Sequence, residues 1–366
     1  MIVSFAILEG FRHQIQDKIF SFGAHLQISK YDSDNSFEGL PISTNTGVNK
    51  AMIPEISHIQ PFARKTAIVK TEGEVLGVVL KGIDKSYDLT AMKSNLVAGR
   101  VLNFSDSVES DEIMVSKKIA DQLRLKVNEE ALFFFVQNPP RVRKFKIVGI
   151  YKTGLDEFDN IYVIGDMEHI RELNNWNDTL VGGYEIILKD FRTIDQTADK
   201  VFDKMNYDLQ LQKITDEYAQ LFDWLKLLKR NVVIFLVLIV FVATFNMVST
   251  VFIMIMERTN MIGVLKAIGG TDYQIRKVFF YNGASLTLKG LLWGNVIGLG
   301  FCALQYYFEF IPLDPENYYM DTVPIYWDLS MILLLNATTF VLTLLSIMLP
   351  TALISRIKPV NAIKFD

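Results

Sequence analysis

Few residues in this chain are spaced for chemistry. The four histidines, His13, His25, His58 and His169, are scattered, and no H-E-x-x-H motif puts two of them on one helix face. Cys302 is the single cysteine and lies in an apolar run, so it reads as a small buried hydrophobe. It excludes an intrachain disulfide framework and a cysteine zinc site. There is no G-x-S-x-G nucleophile turn, no C-x-x-C pair and no G-x-x-x-x-G-K-[ST] loop to cradle ATP. Acidic pairs such as Asp111–Glu112 read as solvated faces. These residues give no catalytic group, metal ligand or cofactor site, so the chain does not read as an enzyme.

Two features remain. Lys289 is the one charged residue inside the apolar run Val278–Phe308. A lysine at such a position faces a cavity, finds a partner, or snorkels to the membrane surface along its stem. The second feature is "MERTNMIGVLKAIGGTDYQIRKVFF" (256–280). It mixes Glu257, Arg258, Lys266, Asp272, Arg276 and Lys277 with Ile262, Leu265 and Ile268 at helical spacing. The pattern predicts a short helix from Arg258, stopped by Gly269 and Gly270, and a Thr271/Gln274 capping box that starts the next one. Its stripe is too short to span a bilayer, so it suits a membrane surface or a groove on another protein.

The elements around these residues are those of a mixed membrane protein. Among 366 residues, 50% are hydrophobic and 21% charged, and the mean hydropathy is +0.23. The net charge of −4 gives no nucleic-acid footprint. Val232–Met256 and Leu329–Leu349 carry no charge and Val278–Phe308 only Lys289, and each is long enough to cross a bilayer. Arg258, Lys266, Arg276 and Lys277 lie between the first two runs, and Arg356, Lys358 and Lys364 follow the last; Glu309–Asp328 has no lysine or arginine. The positive-inside rule therefore puts 257–277 and 351–366 in the cytoplasm and the large domain outside. Lys226, Lys229 and Arg230 belong to that large domain, which crosses largely regardless of charge. "MIVSFAILEGF" (1–11) reads as the outer end of a first span whose beginning is truncated, since it lacks the basic start and cleavage site of a signal peptide.

Residues 12–215 read as an α+β domain. Strand-like runs are "HLQIS" (25–29), "TAIVK" (66–70), "VLGVVLKGI" (75–83), "ALFFFV" (131–136), "KFKIVGIY" (144–151), "IYVI" (161–164) and "GYEIILK" (183–189). Ser116 caps one predicted helix, and Thr193 with Gln196 is expected to box another. "NPPRVR" (138–143) reads as a hairpin tip. No Gly or Pro interrupts Thr215–Met256, so a stalk helix over 216–256 is expected to run straight into the membrane. Spans then follow at 278–308 and 329–350, joined by a short outer loop at 309–328. The fold class is thus an α-helical membrane protein with a large extracytoplasmic α+β domain. It has three full transmembrane helices and the outer end of another. Asn246, Asn282, Asn295 and Asn336 are candidate interhelical hydrogen bonders.

The 256–280 segment resembles the E-[RK]-x-x-x-I-G-x-L-[KR]-A-[ILM]-G-x-x-x-x-x-I loop of the lipoprotein-releasing, FtsX- and MacB-like ABC permeases, and "LPTALISRIKPVNAIKFD" resembles their ending. "VLKGID", "VAGRVL", "FKIVGIYKTGLDEFDN" and "GYEIILKD" are similar to the outer domain of the lipoprotein-releasing (LolC/LolE-like) branch. The resemblance implies that the loop helix couples to a separate cytoplasmic LolD-like ATPase through Glu257, Arg258, Ile262, Gly263, Leu265, Lys266, Ala267 and Gly269, its apolar stripe filling the partner's groove. It also implies a second permease subunit, a lipoprotein substrate and lipid contacts, with acyl chains meeting Phe5, Leu8 and Phe11 and, opposite, Leu221, Phe222 and Leu225. ATP-driven movement of the spans and outer domain would be mechanotransmission. "QNPPRVRK" replaces the long hairpin hook that recruits a periplasmic carrier in one member of the releasing pair. Efflux with an adaptor, as in MacB-like permeases, and control of a cell-wall hydrolase, as in FtsX-like ones, are the other functions the superfamily implies.

Overall fold

The computed structural model describes residues 1–31, 36–71, 73–104, 110–314, 318–352 and 354. It divides into two compact units, an outer one (Ile15–Phe222 with Pro315–Met320) and a membrane one (Met1–Gln14, Asp223–Asp314 and Asp321–Asp366). The predicted positives of the tail, Arg356, Lys358 and Lys364, lie outside the described residues.

The strands are β1 (Leu26–Lys30), β2 (Ile42–Ser43), β3 (Ile56–Lys70), β4 (Val75–Ile83), β5 (Leu96–Gly99), β6 (Glu112–Ser116), β7 (Glu130–Phe135), β8 (Arg141–Tyr151), β9 (Tyr162–Asp166), β10 (Leu180–Val181), β11 (Gly183–Leu188) and β12 (Leu209–Lys213). Among the described residues, ten form one sheet in the order β12-β1-β11-β3-β4-β9-β6-β8-β5, with β7 joining β3 to β8, while β2 pairs with β10. β4–β9 and β6–β8 run parallel and the other pairs antiparallel. Mixed pairing follows from the irregular alternation of strands with short helices, and the domain is α+β. β7 shows the two-residue period directly: Ala131, Phe133 and Phe135 are buried while Leu132 and Phe134 face out.

β3 begins ten residues ahead of the predicted "TAIVK". Pro61 hides its first half from a pattern search, because proline normally marks the end of a strand. Pro61 is tolerated here because β4 pairs only from Phe62 onward, so no ladder bond is required of its nitrogen on that side.

The helices begin with α1 (Ile2–Phe22), which runs past residue 11 into the outer unit. α2 (Thr90–Ser94), α3 (Lys117–Leu123), α4 (Asp156–Asp159), α5 (Met167–Asn174), α6 (Ile194–Phe202) and α7 (Ile214–Glu217) decorate the sheet. Ser116 caps α3 as predicted, its Oγ accepting from Ile119 N at 3.0 Å. The Thr193–Gln196 box does not form. A 3-10 turn at Phe191–Thr193 precedes α6, and the Thr193 hydroxyl donates instead to the Asp190 carbonyl at 2.8 Å.

The centre of the sheet holds a charged network. Lys81 on β4 is 1% exposed, and its ammonium donates to Glu185 Oε1 at 2.6 Å, Tyr87 Oη at 2.9 Å and the Phe22 carbonyl at 3.2 Å. Glu185 Oε2 accepts from Gln60 at 3.0 Å and from Tyr87 at 2.8 Å. All three ammonium donors are used, which is the condition for burying such a group. Burial would raise the Glu185 pKa, but Lys81, Gln60 and Tyr87 together hold it below the usual carboxylate range. The Phe22 carbonyl belongs to the last turn of α1, whose orphan acceptors favour a cation.

His25 packs between Phe20 and Phe191 and accepts from Leu188 N at 2.8 Å; burial lowers its pKa from 6.5 to about 4. With the folded value depressed, the unfolded chain takes up the proton first as pH falls. The contribution is therefore complete above the unfolded value and is lost as pH drops towards 4. At pH 5 this should cost the outer unit about 2 kcal/mol relative to pH 7.5. Pulse proteolysis of the full chain in detergent at both pH values should show that loss. It should be largely absent in His25→Asn, whose amide oxygen can still accept from Leu188. An equal loss in both proteins would contradict the assignment.

Candidate functional site

The membrane unit contains α8 (Ala219–Glu257), α9 (Thr259–Ala267), α10 (Asp272–Phe308) and α11 (Leu329–Thr351). α8, α10 and α11 are long and apolar enough to cross a membrane. α8 is 39 residues without a break, about 58 Å at 1.5 Å per residue, against a ~30 Å hydrocarbon core. Its first residues, through Phe222, belong to the outer unit, and its last reach the short helix α9.

Arg258 alone separates α8 from α9, and the Thr259 hydroxyl donates back to the Met256 carbonyl at 2.7 Å. α9 ends at Ala267, where Gly269 takes φ +98° and Gly270 N bonds to the Leu265 carbonyl at 2.8 Å. A Cβ on Gly270 would sit 2.7 Å from that carbonyl oxygen, so glycine is required for the return. The capping box then opens α10 as predicted, with Gln274 N donating to Thr271 Oγ1 at 3.3 Å and Thr271 N to Gln274 Oε1 at 3.0 Å.

The direction of the apolar stripe differs from the expectation. Ile262 is 0% exposed and Gly263 is buried. Ile262, with Leu265 against it, packs on Val251 and Ile255 of α8, Ile275 and Phe279 of α10, and Ile347 of α11. These residues hold α9 to its own spans and are not free to fill a partner's groove. Lys266 also turns inward, to Asp272 at 2.8 Å. The outward face is Met261, Val264 and Ile268, 37%, 50% and 77% exposed, with Glu257, Arg258, Asn260 and Ala267 exposed beside them. Both stripes fit a helical period. Periodicity alone cannot say which one meets the parent protein.

The six expected lipid-contact residues divide differently. Leu8, Phe222 and Leu225 are buried, and Phe222 stacks on Phe191 with centroids 5.9 Å apart. Phe5, Phe11 and Leu221 stay partly exposed. Lys289 is exposed on α10, about 9 Å along the helix from Gly283, which packs against Ile347 near the inner end of α11. Asn295 and Asn336 exchange amide hydrogen bonds of 2.7 and 3.0 Å between α10 and α11.

A groove of about 210 Å³ lies between the start of α1, α10 and α11, lined by Gly290, Gly294, Gly298, Asn295, Asn336 and Thr339 among others. The four-residue spacing of its glycines is the sequence signal that would have revealed it, because small residues let helices approach closely.

At the hairpin tip, Arg141 donates to the Glu172 carbonyl at 2.8 Å and Arg143 pairs with the Glu172 carboxylate at 3.0 Å. Lys144 pairs with Glu130. The basic tip is tied to α5 and to β7, and it projects no paired arm. Among the described residues, no group of His, Cys, Asp and Glu could hold a metal ion.

Residues 1–203 match the MacB-like periplasmic core domain and residues 233–359 the FtsX-like permease C-terminal. The lipoprotein-releasing system transmembrane protein LolC of Buchnera aphidicola subsp. Schizaphis graminum is 24% identical over 95% of this chain and 86% of its own. LolC of Neisseria meningitidis serogroup B is 23% identical over 100% and 91%, and LolE of Haemophilus influenzae 21% over 99% and 90%. With a MacB-like domain over more than half its length and FtsX-like spans after it, the chain belongs to the FtsX/MacB-like family of inner-membrane permeases, its large domain in the periplasm.

Proposed function

We propose that this chain is the permease subunit of an ABC machine that extracts lipoproteins from the outer leaflet of the inner membrane. A separate LolD-like cytoplasmic ATPase drives it, and a second permease subunit completes it. The observation that carries the reading is α9: a short helix braced against three span ends, with Met261, Val264 and Ile268 left bare. A bare apolar face on a cytoplasmic helix needs a partner groove. The lipoprotein-releasing relatives, alike over nearly the whole chain, supply the substrate class.

In this mechanism the ATPase grips the outward face of α9 and closes on ATP. α8 continues from that point as one 39-residue helix, so displacement of α9 is carried along its length. The acyl chains meet Leu221, which stays partly exposed, where burying each CH₂ contributes ~0.8 kcal/mol. Because the hairpin tip is short and its cations are engaged, carrier recruitment falls to the partner permease.

A photo-crosslinker at Leu221 in active complexes should capture a lipoprotein, and one at the exposed Asp178 should not. Equal capture at both sites, or none at Leu221, would overturn this route. Topology is tested separately. A cysteine at Asn260 should react only with reagents from the cytoplasm and one at Asp178 only from the periplasm. The reverse pattern would contradict the orientation.

A further inference from the structure

The contacts of Lys266 go beyond the docking of α9, although their consequence for transport rests on that reading. Lys266 sits in the last turn of α9, its side chain 11% exposed. Its ammonium reaches Asp272 Oδ1 at 2.8 Å, in the first turn of α10, and the Ile354 carbonyl at 2.7 Å, just past α11. Between Lys266 and Asp272 lies the break formed by Ile268, Gly269, Gly270 and Thr271. A Cβ on Gly269 would meet nothing within 4 Å, and its φ of +98° is open to glycine at little cost. That linker is a natural pivot, and the Lys266 ion pair spans it.

The placement suits the charges. A cation at the end of α9 and an anion at the start of α10 each complement the local helix dipole, so both termini favour the bridge. Around the bridge, Ile262 and Ile354, both 0% exposed, share one apolar cluster with Ile275 and Ile347. Arg276 adds a long contact of 3.5 Å to the Ala352 carbonyl. We propose that Lys266 is a positioning residue: it straps the glycine break shut and fixes α9 to the start of α10 and the end of α11, so that a push on α9 moves the last two spans together with α8 rather than bending the linker.

The test uses the full chain in nanodiscs, without any ATPase, carrying nitroxides at Ala267 and Leu349, both exposed. The native pair should give a narrow distance distribution. Lys266→Met and Asp272→Asn should each broaden it at least about two-fold, and Lys266→Arg, which keeps the charge and the donors, should leave it narrow. In vesicles with the ATPase, Lys266→Met should lower transport per ATP hydrolysed by about ten-fold, the scale expected for losing a charge-assisted hydrogen bond. An unchanged distribution in both Lys266→Met and Asp272→Asn would overturn the strap whatever the ATPase does. A broadened distribution with unchanged transport per ATP would overturn its role in force transmission. Because the distance measurement contains no ATPase, a failure of α9 docking would leave it unaffected and would show separately when the outward-facing Met261 and Val264 are both replaced by aspartate.

Discussion

Lys81→Met is expected to destabilise the outer unit by about 3–5 kcal/mol, the usual cost of leaving a buried ion uncompensated. The substitution keeps most of the stem but removes the ammonium, 4.8 Å from the Phe22 ring centroid, and with it the three hydrogen bonds to Glu185, Tyr87 and the end of α1. Glu185, 2% exposed, would then keep only Gln60 and Tyr87. It must either remain charged with only Arg64 as a nearby cation or protonate, and its carboxyl pKa should rise. The double variant Lys81→Met/Glu185→Gln should recover most of the loss, since both charges of the pair are then gone. Chemical denaturation of the full chain, followed at the outer unit, measures both. A loss under about 1 kcal/mol in the single variant would mean that water reaches the pair, contrary to its burial.

The second large effect is at α9. Val264→Asp with Met261→Asp should abolish productive coupling while leaving insertion and the spans intact. Both side chains face out, 50% and 37% exposed, so the membrane unit loses no packing of its own. A partner groove that has to take up two carboxylates should lose about 2–4 kcal/mol of binding, or roughly 30- to 1,000-fold in affinity. The control is Ile262→Asp on the opposite face, which should instead reduce the yield of folded protein, since Ile262 is 0% exposed in the cluster with Val251 and Phe279. Gly263→Trp belongs with that control, because Gly263 is buried too. Native ATPase stimulation in the double aspartate variant would move the docking site elsewhere.

The contrast between these faces shows where sequence was informative. The three spans, the glycine break and the capping box at Thr271 were legible because each depends on local composition or a short-range hydrogen bond. Most strands of the outer unit were legible from their apolar runs. β3 lost its first half to Pro61, whose tolerance depends on where the neighbouring strand ends. Lys81 and Glu185 carry no local signal of a pair, since they lie 104 positions apart and only the β4–β3–β11 pairing brings them together. The same limit applied to α9. Met261, Val264 and Ile268 repeat as helically as Ile262 and Leu265, and the packing of α8, α10 and α11 decides which set remains outside. Thr193 and Gln196 had the right spacing for a cap, but the turn at Phe191–Thr193 claims the hydroxyl for Asp190.

Release from sealed vesicles tests the central claim most directly. The chain would be reconstituted with its cytoplasmic ATPase and a second permease subunit in vesicles bearing a labelled triacylated lipoprotein on the leaflet that the outer domain faces. A soluble acceptor with an apolar cavity would be supplied on that side, and label leaving the membrane followed with and without ATP. The account predicts ATP-dependent transfer to the acceptor, lost in the Val264→Asp/Met261→Asp variant while the lipoprotein still crosslinks at Leu221. ATP hydrolysis with no lipoprotein leaving the bilayer, in a complex that exports small amphipathic molecules instead, would contradict it.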